Sequence, residues 1–432
     1  MNYPAGIYDD TAPTEPLRTT QLEAYDFPTI MATVVLVGIG LISIYSATYQ
    51  TPMASYFSKQ LIFALVGAGV FVVALFAPVH LVRASIPLLY GVALVLLLAV
   101  LVPGIGVKIH GQRCWIAIGG FQFQPSEFAK LATLLMAGFQ VASWPSRSPS
   151  GRELLQLLGI VLVPMVLVLL EKDAGTASVF AAMLLGILLL VGVPMVVLLS
   201  LVVVPVSAIT AIHGAMYHTV VGVLVVAVIA STVGYVLDRR WWAPVVILAV
   251  VGLVSYGSTI AFGHLPEYQR GRIRTFFEPE KYPKEEGYHV LQSLIAIGSG
   301  GVTGKGYLHG TQTQLRYIPE QWTDFIFCVP AEEFGFIGAA IVLVLYGIVL
   351  LRLERIWRYS SDPVASVLTF GFATVVLYHV LVNVGMTIGL MPVMGIPLPL
   401  MSAGGTALLV NMATIGLILN FHRRARLVER LQ

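Results

Sequence analysis

Charged residues are scarce in this chain of 432 residues. Only 11% are Asp, Glu, Lys or Arg, whereas a soluble domain carries about 25%. Hydrophobic residues make up 57% of the chain and the mean hydropathy is +0.86. This composition excludes a soluble globular domain and predicts an all-α polytopic membrane protein. The net charge of +3 does not define a partner, because the placement of the charges matters more than their sum.

Cysteine is equally scarce. Cys114 and Cys328 are the two in the chain, which excludes a disulfide framework or a Cys-rich metal site. Both are predicted near the same membrane face, so a single bridge is an alternative to the two free thiols that we favour. Residues 1–26 lack the basic segment of a signal peptide. They carry five acidic residues against one arginine and are predicted to form a solvated cytoplasmic tail.

Apolar runs of membrane-spanning length recur along the chain. A span needs about 20 apolar residues, and runs that qualify give about twelve helices, near 27–47, 58–77, 84–102, 124–142, 153–170, 176–192, 194–212, 217–237, 242–262, 328–351, 365–390 and 403–421. At Gly192-Val193-Pro194, one broken helix is an alternative to two short spans. Nine spans over 27–262 therefore precede a large loop at 263–327. Three more lie within 328–421, and a basic tail follows at 422–432.

The basic residues of the short loops predict the orientation. With a cytoplasmic N-terminus, four fall outside, Lys59, Lys108, Arg113 and Lys172, and thirteen fall inside: Arg18, Arg83, Arg147, Arg152, Arg239, Arg240, Arg352, Arg355, Arg358, Arg423, Arg424, Arg426 and Arg430. The large loop is then extracellular, facing the periplasm or the outside. No nucleotide is available there, so a reaction in the loop must draw its energy from the substrate.

Three ionisable residues lie within predicted spans, where such residues are expensive and functional by default. Glu127 and Lys130 are spaced i, i+3 and share one helix face. Asp173 opens another helix from the same side. The sequence leaves two compatible interpretations, a buried ion network that pins two helices together and the lining of a polar cavity under the external loop.

The large loop contains the remaining chemistry. Arg270, Arg272 and Arg274 alternate with other residues, as suits a phosphate ligand or lipid headgroups, although ordinary surface charge is the alternative. The glycine-rich run 300–306 lacks the spacing of a nucleotide loop, and no pair among His264, His289 and His309 has metal-ligand spacing. Asp324, beside the next apolar run, is the principal catalytic candidate. Its alternative role is the N-cap of a helix beginning at Phe325.

Several motifs then resemble a known family. They are Gly111-Gln112-Arg113-Cys114-Trp115, Phe123-Gln124-Pro125-Ser126-Glu127, Lys172-Asp173-Ala174-Gly175-Thr176, Gly287-Tyr288-His289-Val290-Leu291-Gln292-Ser293, Ile297-Gly298-Ser299-Gly300-Gly301, the run 304–314, Thr323-Asp324-Phe325-Ile326-Phe327, Glu332-Glu333, Asn383-Val384-Gly385-Met386, Pro397-Leu398-Pro399-Leu400 and Gly404-Gly405. Over most of its length the chain resembles the SEDS family of cell-wall polymerases. Tyr288-His289 and the Gly-Thr-Gln-Thr-Gln run favour the RodA branch over the FtsW branch.

The resemblance implies a peptidoglycan glycosyltransferase that polymerises lipid II, an undecaprenyl-diphosphate-linked disaccharide-pentapeptide, at the outer face of the cytoplasmic membrane during elongation and shape maintenance. It implies a divalent cation, Mg²⁺ or Mn²⁺, with Asp324 as a possible ligand. The implied partners are a class B penicillin-binding protein acting as transpeptidase, other membrane proteins of the elongation complex and membrane lipids, with no nucleic acid. A ten-helix core is implied too, so the four spans between Thr176 and Phe262 include an extra helix pair.

By the same resemblance Asp324 is the essential acid, and Glu127, Lys130 and Asp173 support it. Candidate substrate or diphosphate contacts are Trp115, Arg113, Arg270, Arg272, Arg274, Gln292, Ser293 and Lys305. The chain departs from the family pattern at four positions, Cys114, Trp322, Ala403 and Thr406. A flippase or transporter for lipid-linked precursors is the alternative function, because many spans and buried ion pairs also suit transport. A scaffold that recruits the transpeptidase is a third.

Overall fold

The computed structural model describes residues 25–109, 112–119, 121–145, 149–264, 270, 274, 277 and 286–429. Within them, 11 helices are long and apolar enough to cross a membrane. In chain order these are α1 (Phe27–Thr48), α2 (Ser55–Phe76), α3 (Val79–Leu101), α5 (Gly151–Leu170), α6 (Ala174–Val191), α7 (Met195–Tyr217), α8 (Val221–Asp238), α9 (Trp242–His264), α13 (Gly335–Arg358), α14 (Pro363–Thr387) and α15 (Gly405–Glu429). The predicted helical, polytopic membrane fold is confirmed.

The remaining predicted span, α4 (Pro125–Ala142), is a more polar helix. It is 18 residues long, and Glu127 lies in its first turn. Most of its residues from Pro125 to Gly138 are buried, including Lys130. Helix α4 therefore lies inside the protein, and among the described residues 11 helices qualify as spans where the sequence predicts about twelve.

The polar segments at one end of the bundle are more ordered than a single loop. A three-stranded antiparallel sheet, β1 (Gly106–Ile109), β2 (Gln112–Ile118) and β3 (Phe121–Phe123), connects α3 to α4. The predicted loop 263–327 contains the helices α10 (Glu286–Gly300) and α11 (Thr311–Gln314). Short apolar alternation over fewer than eight residues is a weak signal, and the sheet was missed.

Three boundaries differ from the predictions. The span expected at 328–351 is two helices, α12 (Cys328–Glu333) and then α13, because Gly335 takes a left-handed φ of 64° at the junction. Helix α15 continues through the expected basic tail to Glu429. Asp26, placed in a solvated tail by its sequence, is only 3% exposed and pairs with Arg352. The acidic residues before it lie outside the described residues.

The interval between Thr176 and Phe262 holds four separate helices. Helix α6 ends at Gly192, which takes the left-handed conformation with φ 81°, and Pro194 precedes α7. The alternative of one broken helix is therefore wrong. Helices α7, α8 and α9 share a small core of their own formed by Val203, Ala230, Ile247 and Val251, separate from the large core of the other helices.

Contacts between distant segments define the two ends of the bundle. At one end, Asp26 pairs with Arg352, and Arg83 with Asp362. At the other, Gln124 contacts Asp173, Asn383 contacts Asp324 and Ser46 contacts Glu333. The sheet and the Asp324 segment therefore share the end that carries the predicted site. Cys114 and Cys328 are buried, free thiols, as favoured from the sequence.

Candidate functional site

Asp324 lies in a segment whose backbone is fixed from three directions. The carbonyl of Trp322 accepts a hydrogen bond from the Ala403 amide (2.9 Å), and that of Thr323 accepts one from Ser402 Oγ (2.7 Å). The carbonyl of Asp324 itself accepts from Asn383 Nδ2 (2.7 Å). We call residues 322–324 the anchored segment. With three consecutive carbonyls engaged, the backbone from which the Asp324 side chain extends is held in place.

Ser402 and its neighbours, which hold the anchored segment, are themselves held by hydrogen bonds. Ser402 Oγ accepts a hydrogen bond from the Leu398 amide at 2.8 Å, and Gln60 of α2 contacts both the Ser402 carbonyl and the Gly404 amide. Asn383 Nδ2 also donates to the Ile396 carbonyl (2.8 Å). The departure at Thr406 has a structural use, since its Oγ1 accepts from the Gln124 amide and links α15 to the start of α4.

The segment 394–396 passes between Asp324 and the start of α6. A Cβ on Gly175 would lie 2.3 Å from the Met394 carbonyl oxygen, and this clash could be relieved only by moving the backbone. A Cβ on Gly395 would lie 3.5 Å from Asp324 Oδ2. Gly395 also takes a left-handed φ of 66°. Glycine at position 175 therefore lets this segment pack against the start of α6, whose N-cap is Asp173.

The carboxylates of this end change one another's acidity. Burial raises the pKa of Asp324 to about 7, and the negative charges of Glu320 and Asp173 act in the same direction. Burial also raises the pKa of Glu171 to about 8, with a further contribution from Asp173. Glu171 is 1% exposed, and its two carboxylate oxygens have no hydrogen-bond donor among the described residues. A half-buried Asp324 that is partly protonated at neutral pH suits proton transfer.

The predicted ion network is an ion pair with a hydrogen-bonded neighbour. Lys130 Nζ lies 2.8 Å from Glu127 Oε1, and both side chains are less than 10% exposed. Asp173 instead accepts from Gln124 Nε2 at 3.3 Å, and from the amide and hydroxyl of Thr176. The α4 and α6 helices are thus joined through Gln124, and Lys130 forms no ion pair with Asp173.

A buried pair of glutamates ties the rest of the loop to the bundle. Glu332 is fully buried and accepts hydrogen bonds from Lys305 Nζ (2.7 Å), from the Gln312 amide (2.8 Å), and from the Thr313 amide and hydroxyl (2.9 and 2.8 Å). Glu333 accepts from Ser46 Oγ of α1 at 2.5 Å. Together the two carboxylates bind the segment 305–314 to α12 and α1.

Gln321 connects the segment 305–314 to the anchored segment. Gln321 is fully buried, and its Nε2 donates both to the Thr313 carbonyl (3.0 Å) and to the Ala47 carbonyl of α1 (2.9 Å). Thr313, held by Glu332, therefore holds Gln321, which lies three residues before Asp324. The roles of Gln321, Ser402 and Asn383 were missed from the sequence, although Asn383 is a polar residue inside an apolar run and such residues usually have a function.

Several predicted substrate contacts are engaged elsewhere. Arg113 donates to the Leu101 carbonyl, Ser293 to the Thr387 carbonyl, and Lys305 to Glu332 and Thr311. These three side chains stabilise the structure around the site. Trp115 and Gln292 are half-buried. Arg270 donates to the Gly263 carbonyl at 2.7 Å. Arg274 is half-buried, and Arg272 lies outside the described residues.

The alternative role of Asp324 as a helix cap is wrong. The next helix, α12, begins at Cys328 and has Phe327 as its N-cap, with no side-chain hydrogen bond to the cap. Three residues separate Asp324 from that helix. Its carboxylate is therefore available for chemistry, because no described helix needs it for its first turn.

The fold and the site together define a multi-pass membrane protein with a half-buried acidic group held at one end of its helical bundle. The family model FtsW/RodA/SpoVE, described as cell cycle protein, matches residues 27–221 and 218–427. The chain belongs to this family, which is the SEDS family predicted from its motifs.

The similar proteins include two named enzymes. Peptidoglycan glycosyltransferase RodA of Treponema pallidum (strain Nichols) is 32% identical over 94% of this chain and 100% of its own length. Peptidoglycan glycosyltransferase MrdB of Escherichia coli (strain K12) is 33% identical over 84% of this chain and 85% of its own length. A solved structure concerning structural coordination of polymerization and crosslinking by a peptidoglycan synthase complex has a TM-score of 0.66 at 27% identity, covering 93% of this chain and 98% of that chain.

Proposed function

We propose that this protein is a peptidoglycan glycosyltransferase that polymerises lipid II into glycan strands during cell elongation and shape maintenance. The observation that carries the proposal is Asp324, which lies in a segment with three hydrogen-bonded backbone carbonyls and has a pKa raised to about 7. The enzyme names of the RodA and MrdB relatives support the same activity. The loss of polymer when Asp324 is changed would test it.

In the proposed reaction Asp324 acts as the general base. Its carboxylate takes the proton of the acceptor sugar hydroxyl while that oxygen forms a bond to the anomeric carbon of the donor. The bond from that carbon to the diphosphate breaks, and the leaving group departs with the electron pair. Inversion at the anomeric carbon fits this single displacement, so no covalent nucleophile is needed. A base in this role contributes roughly 10²–10⁴-fold to the rate.

A divalent cation, Mg²⁺ or Mn²⁺, is part of the proposal. Among the described residues no group of three His, Cys, Asp or Glu side chains is arranged to hold a metal. Mg²⁺, however, is usually held by one or two carboxylates together with substrate phosphates and water. Asp324, with Glu320 and Asp173 near enough to raise its pKa, fits that requirement as an alternative to its role as the base. The ion would neutralise negative charge on the departing diphosphate.

The proposed orientation places the Asp324 end outside the cytoplasmic membrane and both termini inside. The excess of arginine at the other end supports it. An impermeant thiol reagent should label a cysteine introduced at Leu315, which is 62% exposed, and should not label one introduced at Arg240 in intact spheroplasts. The two native cysteines are buried and should give little background. Labelling of the cysteine at Arg240 without labelling of the one at Leu315 would show the opposite orientation.

The proposed partner is a class B penicillin-binding protein that crosslinks the new strand, together with other membrane proteins of the elongation complex. The similar chain in a peptidoglycan synthase complex supports this association. Copurification of the two proteins, with the Asp324→Asn variant as a control that keeps the fold, would test it.

The decisive assay incubates the purified protein with lipid II and resolves glycan polymer on a gel. Polymer made by the native chain and abolished by Asp324→Asn supports the enzyme. Translocation of lipid II across vesicle membranes without any polymer supports a flippase, the alternative function, and would overturn the proposal.

A further inference from the structure

A basic cavity lies at the end of the bundle opposite Asp324. Its volume is about 190 Å³, which is several times the space that a single water molecule requires. Residues from three separated parts of the chain line it: Tyr25 and Asp26 before α1, Arg352 and Arg355 on α13, and His422 and Arg426 on α15. The proposed reaction uses none of these residues.

The lining has more positive than negative charge. Among the described residues that line the cavity there are three arginines and one carboxylate, and that carboxylate pairs with Arg352. Asp26 is 3% exposed and accepts hydrogen bonds from Arg352 Nε (3.2 Å to Oδ2), from Arg352 Nη2 and from the Thr29 hydroxyl. Arg355 is exposed and forms no ion pair with a described carboxylate. Arg355 therefore contributes a positive charge to the cavity that an anion would neutralise.

Aromatic rings hold neighbouring guanidinium groups in place. Arg426 lies over the Tyr359 ring at 5.3 Å, and Arg423 lies over Phe76 at 4.8 Å and over Tyr25 at 5.8 Å. Arg423 also donates to the Tyr25 hydroxyl at 3.2 Å, while its Nε is buried without a hydrogen-bond partner. Arginines fixed in this way lose less freedom when they bind a planar or tetrahedral anion.

The depth of the cavity suggests what it binds. Arg352 and Arg355 lie in the last two turns of α13, an apolar helix that ends at Arg358, so the cavity is at the level of the lipid headgroups. Arginines near a helix C-terminus also interact with the helix dipole, but that effect does not require them to converge on a cavity. We propose that this cavity binds the phosphate of an anionic phospholipid in the leaflet at this end.

A lipid headgroup and a soluble phosphate ester both carry the phosphate that the cavity would bind. Titration with three ligands distinguishes between them. Lipid-depleted full-length protein in neutral detergent would be titrated with phosphatidylglycerol, with phosphatidylcholine of the same acyl chains, and with glycerol 3-phosphate. Native mass spectrometry would count bound lipids. We expect phosphatidylglycerol to bind about tenfold more tightly than phosphatidylcholine. Its binding should weaken as the salt concentration is raised. Glycerol 3-phosphate should compete poorly.

Two variants and a matched control assign the binding to the cavity. Arg355→Gln with Arg426→Gln should reduce phosphatidylglycerol binding to the level of phosphatidylcholine. Arg358→Gln is the control, because Arg358 lies in the same last turn and has the same charge but pairs with Glu354 and does not line the cavity. If the double variant is unstable, Arg355→Gln alone serves, since that side chain is exposed.

Three outcomes would overturn the proposal. Equal binding of the two phospholipids would remove the requirement for an anion. Equal loss in Arg358→Gln and in the cavity variants would mean that general surface charge attracts the lipid. Competition by glycerol 3-phosphate as strong as by phosphatidylglycerol would make the cavity a site for a soluble anion.

Discussion

The anchored segment and the three-helix group α7–α9 are built on opposite principles. Around Asp324, buried polar side chains hold the backbone, with Asn383 and Gln321 fully buried and bonded to carbonyls. The group α7–α9 has a small apolar core centred on Ile247 and Val251. Buried polar groups in a membrane protein are costly unless they are satisfied, so the region that contains them is the region where geometry matters for function.

The comparison predicts how the two regions respond to substitution. Changes near the anchored segment should lower activity more than they lower stability, because they displace Asp324 or change its charge. Changes within α7–α9 should alter packing and leave activity intact. The predictions below run from the largest expected effect on glycan synthesis to the smallest.

Asp324→Asn should have the largest effect. Asparagine preserves the shape of the side chain but removes the base, so polymer formation should fall by about 10²–10⁴-fold. The anchoring bonds involve backbone carbonyls and should survive, leaving the thermal unfolding temperature unchanged. Initial rates on lipid II with matched melting curves would measure both. Near-normal synthesis by this variant would remove Asp324 from the reaction.

Lys130→Met should lower stability and activity together. The pair with Glu127 is buried, and removing one member of such a pair costs about 3–5 kcal/mol because the other charge is left unpaired. Glu127→Gln in the same chain removes that charge and should recover part of the stability. Thermal unfolding of the single and double variants would measure this coupling. Full stability with no activity in Lys130→Met would instead indicate that Lys130 contacts the substrate.

Glu332→Gln should be more damaging than Glu333→Gln. Burial alone would raise the pKa of Glu332, but hydrogen bonds from Lys305, Gln312 and Thr313 outweigh it and lower the pKa. Glu332 therefore stabilises the fold above its ordinary pKa of 4.5, and that stability is lost as the pH falls through the folded-state value. Burial raises the pKa of Glu333, so a neutral amide imitates Glu333 better.

Unfolding of these two glutamine variants, measured at pH 7 and again near pH 4, provides the check. We expect Glu332→Gln to cost about 3 kcal/mol at pH 7 and less at the lower pH, with polymerisation reduced because Thr313 no longer supports Gln321. Equal effects of the two variants at both values of pH would contradict the assigned ionisation.

Ile247→Ala should have the smallest effect on activity. Ile247 and Ile187 are both fully buried, and their truncation to alanine removes the same atoms at about 2–5 kcal/mol. Ile187 packs near Gly371 of α14, the helix that carries Asn383, whereas Ile247 belongs to α7–α9. Polymer formation should fall several-fold in Ile187→Ala and remain within about twofold in Ile247→Ala. Equal loss in both would join α7–α9 to the catalytic unit.

The sequence predicts the helices well because long apolar runs leave little choice in a bilayer. It also selects Asp324, Glu127, Lys130 and Asp173 as candidates, since charges beside or inside apolar runs are conspicuous. What it does not predict is the anchoring. Ser402, Gln321 and Asn383 act through bonds to carbonyls far along the chain, and those contacts depend on tertiary packing. The break before Gly335 and the small sheet depend on local backbone geometry, which an apolar pattern does not encode.

The pH dependence of polymerisation tests the central claim most directly. If Asp324 is the base with a pKa of about 7, kcat/KM for lipid II should rise with pH through that value and then level off. Glu320→Gln removes a negative charge that raises this pKa and should move the rise to lower pH, while its remaining oxygen can still accept from Thr323 Oγ1. A profile without a rise between about pH 6 and 8, or one that Glu320→Gln leaves in place, would contradict the assignment.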